Sequence, residues 1–140
     1  MSMLTIANGD FRVSNELMIR KAIRYDESLK MISKYTTRDI QNGYKWIYIE
    51  DILIDGLIFN FGLCFYKDVI ESINFTFRGK YEKAFTWEDY SLEKEKRNKK
   101  EYEKWLRRIV GDTREFDWGT VGVYFDSRDE TVSLHLHYKK

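Results

Sequence analysis

His135 and His137 lie two apart near the end of the chain, a spacing that on an extended strand points both imidazoles to one face, where together they could hold a metal ion. They alternate with Leu134, Leu136 and Tyr138, whose apolar bodies claim the opposite face, so the pair is read as decorating a wet surface. No His-Glu-x-x-His, cysteine pair or acidic cluster completes a ligand set in the sequence. Glu50, Asp51 and Asp55 are close enough in sequence to divide acid and base roles, provided a cleft separates their pKa values. A bulge followed by an Asp-Gly turn accounts for the same three residues without catalysis. Asp126, Asp129 and Glu130 lack the spacing of a calcium loop. Gly119 and Gly122 lie on a strand-like segment rather than ahead of a helix, so they form no phosphate loop. Cys64 has no base placed beside it by the sequence, as a thiolate nucleophile requires. The expectation is a chain with no catalytic residues, no metal and no cofactor.

Two further groups concern binding. Between Lys94 and Arg108 basic residues outnumber acidic ones, and with Tyr102 and Trp105 the segment imitates a nucleic-acid face. Those aromatics belong to the apolar stripe Tyr102, Trp105, Leu106, Ile109, however, which assigns them to a core. Tyr44, Trp46 and Tyr48 stand opposite Ile47 and Ile49 in phase. If the isoleucines are core, the three aromatics form a stripe of the kind protein interfaces favour, unless the N-terminal segment or the long helix covers them.

The elements that must position these residues centre on 44–78. Leu57, Phe59, Phe61, Leu63 and Phe65 alternate strictly, and Ile73, Phe75 and Phe77 repeat the pattern after the step at Lys67-Asp68, which predicts an antiparallel hairpin with one apolar face. In the preceding strand, 44–55, Ile47 and Ile49 share one phase and Ile52 and Ile54 the other. One extra residue at Glu50-Asp51 reconciles them, and such a bulge bends a sheet. Upstream, 3–7 and 10–13 read as strands around an Asn8-Gly9 type I′ turn, 15–25 leans towards strand, and Asp26 caps a short helix over 27–35. Residues 36–43 read as a polar connection. Downstream, Thr86 and Asp89 resemble a capping box for a helix ending near Val110, with Gly111 after it, whose first half projects into solvent through the pairs Glu93–Arg97 and Glu95–Lys99. A final hairpin joins 121–125 to 132–138.

Aromatic residues make up 16% of the 140, enough bulk for a disulfide-free core. The formal charge of +1, from 24 basic and 23 acidic residues, supplies no global field to attract nucleic acid. One cysteine, no leader-like pattern over 1–10 and no apolar run near 18 residues predict a cytoplasmic protein with no membrane association.

From Gly56 to Val110 the order G-L-x-F-x-F-x-L-x-F-Y, then I-E-S-I-x-F, then W-E-D-Y and a Lys/Glu-rich helix with Trp105-Leu106 resembles a group of small bacterial α+β proteins. Some proteins of this appearance serve as immunity partners of secreted toxins. An inhibitor of a nuclease would usually be acidic, and this chain is not. The expected architecture is α+β: a single domain whose curved, mainly antiparallel sheet of five or more strands packs against one long and one short helix. The expected function is non-enzymatic protein binding, through a protein partner or a homodimer, with Tyr44, Trp46 and Tyr48 as the interface. The alternative is a small-molecule-binding domain or enzyme with an aromatic pocket between sheet and helix.

Overall fold

A computed structural model describes residues 3–140. Its centre is a seven-stranded antiparallel sheet in the order β3-β4-β5-β6-β9-β8-β7, comprising Thr36–Gln41, Tyr44–Ile54, Leu57–Tyr66, Val69–Gly79, Thr131–Tyr138, Gly119–Asp126 and Glu115–Phe116. A two-stranded sheet joins β1 (Phe11–Arg12) to β2 (Met18–Ile19), and two α-helices, α1 (Tyr25–Met31) and α2 (Leu92–Val110), complete the α+β architecture.

The alternating residues behave as the pleat requires. Ile47, Leu63, Ile73, Leu136 and Val121 lie in one row across five strands, and Ile49, Phe61, Phe75 and Leu134 in the next, all buried. Helix α2 covers this inner face with Tyr102, Trp105, Leu106 and Val110; the Trp105 ring lies 5.7 Å from Phe75, 5.8 Å from Phe77 and 6.0 Å from Phe59. The N-terminal segment fills the same side, with Phe11 5.2 Å from Phe75, and Tyr25 of α1 meets Phe65 edge-on at 5.4 Å. The expected bulge is present: the β4–β5 register shifts between Ile49 and Ile52, Asp51 takes φ +58°, and its N–H donates to Asn60 Oδ1 at 2.9 Å. Both isoleucine pairs thereby reach the core side.

Several local readings are corrected. The polar connection at 36–43 is mostly the edge strand β3; with every residue exposed it has no dry face, so no period marks it, and pairing to β4 alone makes it a strand. Asp26 does not cap α1: Arg24 occupies that position without a side-chain bond, Asp26 sits in the first turn, and the helix stops at Met31 rather than Tyr35. Of 15–25, only Met18–Ile19 is strand. Asn8-Gly9 is no two-residue turn, since only Gly9 has positive φ and the loop closes through Gly9 N–H to Thr5 O and Thr5 N–H to Asp10 O. Thr86 and Asp89 bond each other beside a 3₁₀ turn at Trp87–Asp89, and Ser91 caps α2 by accepting from Lys94 N–H at 3.3 Å.

Candidate functional site

Because α2, α1 and the N-terminal strands all pack on the inner face, no element among the described residues covers the other face of the large sheet. The registers place Thr36, Tyr48, Gly62, Asn74, His135 and Gly122 in one row across it, and Arg38, Trp46, Cys64, Ser72, His137 and Thr120 in the neighbouring row. Trp46 and Tyr48 point outward here, half-buried, with ring planes 1° apart and centroids 5.8 Å apart. They lean over Gly62, where an added Cβ would stand 3.2 Å from the Trp46 ring and 3.4 Å from that of Tyr48. A glycine in the middle of a strand is costly for local stability, and this one makes room for the stacked pair. Tyr44 joins the stripe and packs on Tyr66 at 4.7 Å.

The histidines occupy the far side of this face. Their rings are 5.8 Å apart, Tyr124 stands edge-on to both, and Ser133 Oγ lies 2.8 Å from His135 Nε2. Among the described residues no group of three or more His, Cys, Asp or Glu side chains is placed to hold a metal. Burial, reinforced by His137, pushes the His135 imidazole down to about 4, against a small opposing pull from Asp126. Its ring is therefore neutral in the native protein throughout the mildly acid range. The unfolded chain takes up this proton near pH 6.5, so stability associated with the neutral ring declines as pH falls from about 6.5 towards 4. An NMR titration should show the His135 ring unprotonated at pH 5; a midpoint near 6.5 would mean that the ring is solvated.

Beside the aromatic stripe the sheet forks. The β6–β9 ladder ends at Phe75–Leu134, while β6 runs on with β5 to Gly79 and β9 starts earlier, at Thr131, beside β8. Side chains from α2 fill the fork and take over the hydrogen bonding that a neighbouring strand would supply. The Glu95 carboxylate, only 6% exposed, accepts from Val132 N–H at 3.0 Å and from Asn98 Nδ2 at 3.2 Å, and the Tyr102 hydroxyl donates to Phe77 O at 3.4 Å. Burial raises the Tyr102 pKa and keeps the phenol protonated. The expected Glu95–Lys99 pair therefore gives way to an inward carboxylate, because a buried strand N–H without a partner costs more than a surface ion pair returns. Glu93–Arg97 is likewise not an ion pair.

Above the fork lies a cleft of about 510 Å³, lined by Asn60, Thr76, Arg78, Glu95 and Asn98 among others. A depression of about 260 Å³ under Trp46 and Tyr48 shares Glu50, Asn60, Thr76 and Ser133 with it, so stripe and cleft are continuous. The segment 80–91 rims the cleft. It presents Phe85 and Trp87, 51% and 61% exposed, with rings 5.0 Å apart, and is tied down where the Tyr90 hydroxyl donates to Glu130 O at 2.9 Å. Sequence reasoning did not single out Phe85 or Trp87 as site residues, and it placed Glu95 on the solvent face beside Lys99. The signal for the aromatics was large apolar side chains in a stretch with no periodicity; Glu95 had none, since its partner lies 37 residues away.

The remaining candidates have local structural partners or lie apart. Asp51 shapes the bulge and pairs with Arg78 at 3.0 Å, and Asp55 takes φ +50° in the turn before Gly56. Asp126 is held below the usual carboxylate range by Arg128, and Asp129 accepts from Thr131. Gly119 and Gly122 are both in β8. Cys64 is buried, and burial, helped by Glu71, pushes its thiol up to about 11, which suppresses the thiolate. Tyr102 and Trp105 are core. No described helix is long and apolar enough to cross a membrane. Comparison of the chain with protein-family models, curated proteins and solved structures finds no match.

Proposed function

We propose that this chain is a non-enzymatic protein-binding module whose anchor is the Trp46–Tyr48 pair. The observation that carries the reading is that stacked pair on a sheet face no described element covers, continuous with a cleft rimmed by exposed Phe85 and Trp87. Large rigid aromatics at such a surface offer contact area at low entropic cost, and interfaces concentrate their energy in residues of this kind. Tyr44 extends the patch at its edge. The partner is a protein or a second copy of the chain. The form of this function that the resemblance implies is an immunity-type inhibitor acting in a bacterial cytoplasm.

Trp46→Ala is expected to weaken association by at least about 2 kcal/mol while costing the fold about 1 kcal/mol or less, because Trp46 faces away from the core. Sedimentation of wild type and variant, alone and with any captured partner, read beside their urea midpoints, tests this. A wild type that stays monomeric and partnerless, with a strongly destabilised variant, would make Trp46 a structural residue and sink the reading.

A second reading rests on the cleft itself. Its volume lies within the range of small-molecule sites, and Asn60, Thr76 and Asn98 bring neutral polar groups to its walls. Under that reading a small organic molecule sits between the fork and the Phe85–Trp87 rim.

A further inference from the structure

Helix α2 carries eight Lys and Arg against four Glu, a net of +4, so the remainder of the chain carries −3 within the overall +1. The sequence hides this separation because its total is nearly zero. The fold increases it further: Glu95 turns inward to Val132 N–H, which removes one acid from the outer surface of the helix. Lys96, Lys100, Lys104 and Arg108 follow at intervals of four, so they form one continuous ridge roughly 18 Å long on the side turned away from the Tyr102–Trp105 stripe. All four are exposed, and none makes a hydrogen bond or ion pair among the described residues. On this helix the recorded ion pair is Arg107 with Asp112, at 3.3 Å. Solvated helix faces usually alternate charge sign so that neighbours four apart attract one another; along this ridge they repel, at a cost similar in size to the stabilisation that attracting pairs give.

We propose that the exposed ridge of α2 is a second interaction surface, for an acidic protein surface, distinct from the uncovered sheet face. The positive ridge and the opposite charge of the partner are complementary, and with no exposed apolar residue along the ridge the contact is electrostatic, fast to form and salt-sensitive. Two observations favour a protein over a nucleic acid. Glu93, Glu101 and Glu103 stand exposed between the basic rows, where a uniformly charged phosphate strand meets repulsion but a protein surface can set a basic group against each. The helix also has no exposed aromatic on which a base stacks, since Tyr102 and Trp105 are buried.

The test is fluorescence anisotropy of a labelled poly-L-glutamate oligomer with the full chain, in parallel with a single-stranded DNA oligomer of the same net charge. The expected result is binding of polyglutamate at low salt that weakens steeply as salt rises and falls by more than about tenfold in the Lys100→Glu, Lys104→Glu double variant. Both side chains are exposed, so the urea midpoint of that variant should match the wild type, and Trp46→Ala should leave polyglutamate binding unchanged. Absence of binding at low salt overturns the proposal, as does a double variant that binds like the wild type. So does a preference for the DNA, which would make the ridge a nucleic-acid surface, or loss of binding in Trp46→Ala, which would place the anion on the sheet face. Because the ridge and the sheet face lie on opposite sides of the sheet–helix stack, failure here leaves the Trp46 reading standing, and the reverse holds equally.

Discussion

Replacing Phe75 by Ala should cost about 3 to 5 kcal/mol, the range for removing a fully buried aromatic ring from a packed core. Phe75 is 2% exposed and stands where three parts of the chain meet. Its ring touches Phe11 of the N-terminal segment at 5.2 Å, Phe59 and Phe61 of the adjacent strand at 6.3 and 5.9 Å, and Trp105 of α2 at 5.7 Å. The hole left behind cannot collapse easily, since the neighbours are themselves rigid rings held by three different parts of the chain. Asn74, next in the chain but on the uncovered face, is the right control: Asn74→Ala should lose less than about 1 kcal/mol. Asn60 is a poorer control than alternation alone suggests, because its side chain accepts the bulge N–H of Asp51. Urea denaturation of the two variants makes the comparison. Similar small losses would mean that the two faces of the sheet have been assigned the wrong way round.

Gly9→Ala should destabilise by about 2 to 4 kcal/mol, an unusually large effect for adding one methyl group. The backbone there has φ +78°, which side chains other than glycine rarely adopt, and an added Cβ would lie 2.5 to 2.9 Å from atoms of the Trp118 indole. Neither side yields readily. Trp118 is fixed by its Nε1–H to Ile6 O at 2.7 Å, and Gly9 O accepts from the Tyr138 hydroxyl, also at 2.7 Å. These bonds tie the first loop to the start of β8 and to the end of β9, each across more than a hundred residues, so a shift at Gly9 opens both. Gly56 separates the causes, since it has φ +81° with no atom within 4 Å of an added Cβ. Gly56→Ala should therefore cost about 1 kcal/mol, the backbone part alone. If thermal or urea unfolding finds the two variants equal, the indole contact contributes nothing.

Residues whose environment repeats with the local period were legible in advance. Phe59, Phe61, Leu63, Phe75, Leu134 and Leu136 are buried as their alternation requires, and the phase slip between Ile49 and Ile52 located the bulge at Glu50-Asp51. The stripe Tyr102, Trp105, Leu106 placed the core side of α2 for the same reason. Residues whose partner is distant in sequence were not legible. β3 is a strand only because β4 lies beside it; its own residues have no dry side to advertise the pleat.

The same division runs through the candidate surfaces. By itself the sequence determined the α+β class, the succession of strands over 44–78 and the opposition of Trp46 and Tyr48 to Ile47 and Ile49, since each follows from a repeat of two or 3.6 residues that local geometry must obey. Only the tertiary structure decided that no described element covers the face carrying Trp46, that the sheet forks between β6 and β9, and that Glu95 leaves the helix surface to bond Val132. Those outcomes depend on where strands far apart in the chain, such as β6 and β9, come to lie and which buried N–H groups are left needing a partner. No local period encodes that, because the penalty for an unsatisfied group exists only once the chain has packed around it.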